Sequence, residues 1–390
     1  MEPACITGIG VVSPLGVGKE RFWEALVLGQ SAVESYRPEG GPYASAVAAR
    51  VKGIETTSGQ ARGSTLAIEA ARLALADAGL GPGSAAVRES GIYVGEALSN
   101  LSLWEACLDG ERGGAPDVLA TSAACLSRAF RLEGEAITLA SGCIGGLAAI
   151  GRAARDVRNG DVRMALAGAS DSTLSPFPFA VLCKAKLLST CPIPERAGRP
   201  FDSERDMEVT AEGAAFLVLE SASAARARGA RRLAVVRGFG MAGDAYHFKY
   251  NKPGGLALAR AARAALDDAG LGPEDVDLVL AHASGFRGSD AIEVAALGAL
   301  FAGRTRPLPP VVSIKGATGQ PFSAGGSLQA AAAALALERQ IVPPTAHFDH
   351  ADPEDPFDHV RRAIKQESEV ALLTSYGYGG GKAALVITRR

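Results

Sequence analysis

Apolar residues in this chain gather in two patterns. Short, mostly apolar runs at Cys5–Val12 (with a glycine break), Gly91–Val94, Ile137–Ala140, Met164–Ala167, Ala214–Leu219, Leu233–Met241 and Leu278–Ala281 have the length of buried strands. Between them, apolar positions recur every three to four residues. That spacing predicts helices over Lys19–Leu28, Ser64–Ala78 and Val118–Phe130, and another from Ile144 through Arg155. Gly79 supplies a stop for the second of these. Ser31–Thr57 follows neither period and reads as loop. Strands alternating with helices predict an α/β fold with mainly parallel sheets, covered on both faces.

A repeat sharpens this picture. Residues 70–82 read AARLALADAGLGP and residues 261–273 read AARAALDDAGLGP; eleven of the thirteen positions agree, at an offset of 191. Each copy is a helix, a glycine stop and the approach to a strand. A second strand–loop–helix unit, Val311–Leu337, then corresponds to the unit at Ile137–Arg155. The chain therefore reads as two similar α/β halves, 1–225 and 226–390. Its 390 residues exceed one ordinary core, in agreement with that division.

Composition narrows the function classes. Hydrophobic content of 47% and charged content of 21% fit a soluble globular protein. A formal net charge of −2 argues against a nucleic-acid-binding surface. The six cysteines form no C-x-x-C pair, and the five histidines do not cluster with them, so a metal site is not expected. Scattered thiols in a chain this long fit a reducing, cytoplasmic setting. The N-terminus MEPACITGIGVVSPLG lacks a basic flank and is broken by Gly and Pro, unlike a signal peptide. No uninterrupted apolar run reaches the ~18 residues of a membrane span.

Four stretches could carry chemistry. ITLASGCIGGLAAIGRAAR, at 137–155, is a strand, a tight Ser141-Gly-Cys143 turn and a small-residue helix. Cys143 is thus expected at a helix N-terminus, where unpaired N–H groups and the dipole favour a thiolate. Gly145 and Gly146 weaken the first turn, a cost that points to close packing. A nucleophilic thiol taking an acyl group competes here with a buried small cysteine. His282 ends the apolar run Leu278–Ala281, at the strand end where α/β folds build sites. The second-half elbow, SIKGATGQPFSAGG at 313–326, offers Lys315, the Gln320 carboxamide and helix-start glycines. Thr374–Lys382 is a glycine-rich turn between two apolar strands, able to offer N–H groups to an oxyanion. It lacks the spacing of a phosphate loop.

Taken together, these stretches resemble the β-ketoacyl synthase family of the thiolase superfamily. The likeness runs from ITGIGVVSPLG through SGC, GDVRMALAGASD, RPFDSERD, AEGAAFLVLE and GFGMAGDAYH. It continues through the strand ending in His282, DAIE at 290–293, SIKGATG and IVPPT. The resemblance implies a thiolase-like five-layered α-β-α-β-α fold of two similar halves, usually dimeric. It implies an acyltransferase that moves an acyl group from acyl carrier protein to Cys143 and condenses it with a malonyl unit after loss of carbon dioxide. His282 would match the first catalytic His, and Lys315 the family lysine. Gln320 stands where the second His is usual. The backbone N–H groups of Cys143 and Tyr378 would form the oxyanion hole, with Tyr378 and Gly379 at the gating turn. No metal or nucleotide cofactor is implied.

Four departures stand against that pattern: Gln320 for His, Gln329 for Glu, His282-Ala-Ser-Gly-Phe286 for H-G-T-x-T, and Lys382 for the terminal Asn. A carboxamide at 320 has parallels in related branches that pair Cys and His with Asn. Gln320-Pro-Phe-Ser-Ala-Gly-Gly is also similar to chain-length factor subunits of type II polyketide synthases, which usually lack the Cys retained here. Two functions are therefore expected to compete: a condensing acyltransferase, as a homodimer or one half of a pair, and a chain-length-factor-like subunit beside an intact ketosynthase. A thiolase acting on coenzyme A esters fits less well, since the second catalytic Cys is absent.

Overall fold

Bare backbone in one strand of each half accounts for the repeated helix. A Cβ on Gly8 would stand 2.3 Å from the Ala74 carbonyl oxygen, and one on Gly10 only 1.9 Å from that of Ala70. In the other half, Gly238 and Gly240 would meet the Ala265 and Ala261 carbonyls at 2.1 and 2.2 Å. Glycine in the strand and alanine in the helix let backbone lie directly on backbone. Both helix copies therefore keep Ala at these positions.

The structure is a computed structural model that describes residues 2–56, 60–98, 101–108 and 121–389. Its main strands in the first half are β1 (Ala4–Ser13), β2 (Gly91–Gly95), β3 (Ala136–Leu139), β4 (Met164–Ser172) and β5 (Glu212–Ser221). Those of the second half are β6 (Ala234–Gly243), β7 (Leu278–Leu280), β8 (Val311–Val312), β9 (Val370–Tyr376) and β10 (Gly381–Thr388). They follow the order β8-β7-β9-β10-β6-β1-β5-β4-β2-β3, so each half repeats the other about the β6–β1 seam. That seam is narrow, pairing only Ala4–Ile6 with Ala234–Val236.

The sheet is mixed, which corrects the expectation of mainly parallel pairing. β2 runs parallel to β3 and β4, and β7 to β8 and β9. The pairs β1–β5, β4–β5, β9–β10, β6–β10 and β1–β6 are antiparallel. For β9 and β10 the cause is the short glycine turn at 377–380, since a tight hairpin can join only antiparallel strands.

Helices α1 (Lys19–Val27), α2 (Arg62–Asp77), α3 (Ser122–Phe130), α4 (Gly145–Asn159), α5 (Pro176–Lys184), α6 (Leu256–Ala269), α7 (Arg287–Leu300) and α8 (Ser323–Arg339) complete the layers. α2 and α3 cover the outer face of the first half-sheet, and α6 and α7 that of the second. α4 and α8 lie together between the two half-sheets. The result is the five-layered α-β-α-β-α arrangement. α8 is buried from Ser323 to Leu337, as a helix covered on all sides must be. That explains why its sequence is alanine and leucine without a polar stripe. The expected helix from Val118 begins at Ser122, capped by Thr121; residues 118–120 lie outside the described residues. Among the described residues, no helix is long and apolar enough to cross a membrane.

Candidate active site

Both elbows open onto one place. Cys143 sits in a single 3₁₀ turn, Gly142–Ile144, immediately before α4, with Gly142 at φ +61°. Gly146 explains the glycine pair that follows: a Cβ there would stand 2.5 Å from the Ser323 carbonyl oxygen and 2.6 Å from the Ser327 nitrogen. The two central helices touch through backbone at that point. The second elbow reaches the site through a short helix, Lys315–Thr318, followed by Gln320. β7 delivers His282, and the β9–β10 turn delivers Tyr378.

These elements enclose a cavity of about 10 Å³, room for a single water. Cys143, Glu208, His282, Ser284, Gln320 and Tyr378 line it. The loop after β7 is held by two carboxylates from the first turns of α7. Glu293 accepts from the His282 and Ala283 N–H groups at 2.9 and 2.7 Å, and Asp290 from those of Ser284 and Gly285 at 3.1 Å each. The DAIE stretch thus positions the residues around His282, a role its sequence alone did not disclose.

His282 is buried, with Tyr376 packed on its ring at 4.1 Å between centroids. Burial and the Lys315 charge hold its pKa well below the usual imidazole value, so it is neutral. The Gln320 amide nitrogen stands 3.2 Å from His282 Nε2. Placed so, the amide N–H donates and the imidazole accepts at Nε2. The ring proton then lies on Nδ1, 3.2 Å from the Ser375 hydroxyl, which itself donates to the Cys143 carbonyl at 3.3 Å. Gln320 Oε1 is buried without a partner.

The thiol does not behave as its helix-start position predicts. Burial pushes Cys143 up to about 12, the Glu208 carboxyl adds to the rise, and Lys315 and the Tyr378 N–H oppose it. Desolvation outweighs the helix terminus because the sulfur is buried. Lys315 donates to the His282 carbonyl oxygen at 2.5 Å, and burial lowers it to about 8. Its acidic company comes from Glu293 and Glu208 rather than from position 329. The Gln329 amide donates to the Leu280 and Thr374 carbonyls, tying β7 to β9. Gly379 lies in the β9–β10 turn, where its N–H donates to the Phe248 carbonyl at 2.6 Å and is committed there. Lys382 is buried and donates to Asp244 and Asn251 at 2.8 and 3.0 Å, anchoring the 244–251 segment over the glycine turn.

Glu208 escaped the sequence reading. In the sequence it is one more acid in the charged stretch Glu204-Arg-Asp206-Met-Glu208, with nothing to set it apart. It is buried, accepts from the Tyr378 hydroxyl at 3.0 Å and from Ser284 at 3.2 Å, and burial raises its carboxyl to about 7.

Known proteins share this architecture. Residues 1–225 match the β-ketoacyl synthase N-terminal domain and residues 233–349 its C-terminal domain. The chain is 34% identical to the tetracenomycin polyketide synthase ketoacyl synthase alpha subunit of Streptomyces glaucescens, over 98% of this chain and 96% of the relative. It is 33% identical to 3-oxoacyl-[acyl-carrier-protein] synthase 2 of Vibrio cholerae, over 98% of each. Among solved structures, a type II polyketide synthase acyl carrier protein in complex with its ketosynthase bound to the hexaketide superposes with a TM-score of 0.91. That match has 28% identity and covers 100% of this chain and 99% of that one.

Proposed function

The chain belongs to the β-ketoacyl synthase family, and we propose that it takes acyl groups from an acyl carrier protein onto Cys143 for condensation with malonyl units. The convergence of Cys143, His282 and the Tyr378 N–H on one buried cavity carries this reading. Acylation is a thioester exchange. The Cys143 sulfur attacks the carrier thioester carbon, the carrier sulfur leaves, and the thiol proton of Cys143 departs with it as the carrier's free thiol. The N–H groups of Cys143 and Tyr378 would receive the charge on the thioester oxygen.

Condensation asks more of the site. Loss of carbon dioxide from the malonyl unit leaves a thioester enolate, whose oxygen needs donors. In the resting network His282 offers a lone pair at Nε2, because the Gln320 N–H points at it. The site would have to turn the amide or move the ring proton before His282 could donate there. Acylation is therefore proposed to outpace decarboxylation. That contact also favours a second reading, a chain-length-factor-like subunit that shapes the tunnel of an intact ketosynthase. In either case the working unit is proposed to be a cytoplasmic dimer, homotypic or with a ketosynthase. The division at residue 225 is likewise proposed as the boundary between a nucleophile half and a half carrying His282, Lys315 and Gln320. Intact-mass spectrometry after incubation with acyl carrier protein thioesters tests the main reading. A one-acyl mass gain that vanishes in Cys143→Ala supports it, and no gain in the parent favours the subunit.

A further inference from the structure

Thioester exchange at Cys143 needs no carboxyl beside the sulfur, yet Glu208 lines the same cavity. Its two oxygens are held by the Tyr378 and Ser284 hydroxyls. No acyl chain fits the roughly one-water space left beside the sulfur. Tyr378 is half-buried and belongs to the turn that touches the sulfur through its backbone. An entering acyl group that swings this ring aside removes the hydroxyl from Glu208. A buried carboxyl oxygen left without a donor is costly. Nearby donors are already engaged: Lys249 with the Ala185 carbonyl, Asn251 with Ser289, and the Gln320 amide with His282. A donor carried by the ligand can replace the Tyr378 hydroxyl.

We infer that Glu208 is a specificity-determining residue that selects acyl groups bearing a hydroxyl or amino donor a few atoms from the thioester carbon. The donor takes the place of the Tyr378 hydroxyl when the gate opens. A plain alkyl chain of the same length offers nothing to the carboxyl and is disfavoured. This rests on Cys143 as the acylation site, so the test separates the two.

The probes are butyryl-, 3-hydroxybutyryl- and 3-aminobutyryl-pantetheine thioesters, with initial acylation rates read by intact mass. The parent should transfer the hydroxy and amino groups about tenfold faster than butyryl, the equivalent of ~1.4 kcal/mol. Glu208→Leu should reverse that order. Glu208→Gln should keep the hydroxyl preference and lose the amino one. Equal rates for all three probes in the parent, or the parent's order surviving in Glu208→Leu, overturn the inference. Calorimetric binding of the matching amides, with nitrogen in place of the thioester sulfur, gives a second readout independent of transfer. If no thioester reacts while the parent binds the donor-bearing amides more tightly and Glu208→Leu does not, the Glu208 inference stands and the acylation reading fails. Equal binding of the three amides to the parent sinks the Glu208 inference alone.

Discussion

The elbows before α4 and α8 are built on the same strand–turn–helix plan and differ in how they are held. At the first, Gly142 takes the positive φ, and the backbone beside Cys143 is unhindered. At the second, Phe322 takes φ +45° and ψ −116°, a sparsely populated conformation for a side-chain-bearing residue. Such strain costs on the order of 1–3 kcal/mol and persists only when surroundings enforce it. Here they do: the Gln320 N–H donates to Val209 at 2.7 Å, and its carbonyl accepts from Ala211 at 3.2 Å. The comparison separates two tasks. The relaxed elbow presents the sulfur, while the strained elbow is stitched to the first half and fixes a carboxamide against His282.

Removing the sulfur breaks the comparison most completely. Cys143→Ala should lose all acyl transfer, with no mass gain over background, while light scattering still gives the parent's oligomeric state. The second elbow is tested by restoring an imidazole. Gln320→His should raise carbon dioxide release from malonyl carrier protein by up to ~10²-fold, the scale of one transition-state donor. Labelled carbon dioxide counting decides this, and parent-level release in Gln320→His would mean the carboxamide suffices. The contact between the elbows is tested by Gly146→Ala. The new methyl meets backbone at Ser323 and Ser327, so we expect a loss of about 1–3 kcal/mol in denaturant unfolding.

Proton linkage supplies two finer tests. The Cys143 thiol, pushed up to about 12, should be alkylated by iodoacetamide at a rate that climbs about tenfold per pH unit from pH 7 to 9 without levelling. A plateau in that range would mean the resting thiol is far more acidic. Glu208 is raised from the usual 4.5 to about 7. The folded state therefore binds its proton more tightly, and the associated stability is full below pH 4.5 and lost as pH rises through about 7. The whole loss is on the order of 3 kcal/mol. Glu208→Gln lacks the titration, so its melting temperature should gain on the parent's across that window and run parallel to it above.

Much of the architecture was legible because it rests on local pattern. The repeated AAR-x-AL-x-DAG helices, the apolar strands and the Cys143 elbow needed only period and glycine placement. Strand direction was not legible: nothing in the run 164–172 says that β4 turns back against β5. The site was half legible. Cys143, His282, Lys315, Gln320 and Tyr378 meet, but the thiol's acidity depends on burial by residues far apart in the chain. Glu208 was missed for the same reason, since an acid between two apolar residues acquires meaning only once the Tyr378 hydroxyl lies across it. Gly379 shows the converse: a glycine turn offers N–H groups, and the fold decides which of them stay free.

The shared middle layer has a consequence for biosynthesis. α4 belongs to the first half, yet its buried face is completed by α8, which lies more than 160 residues later in the chain. When the first half has left the ribosome, Leu147 and Ile150 have only their own sheet to cover them until the second half is made. Exposed apolar surface of that kind invites aggregation. A fragment ending at residue 225 should accordingly be insoluble when expressed alone and be rescued by coexpression with 226–390. A soluble, monomeric fragment would mean that α4 finds its cover within its own half.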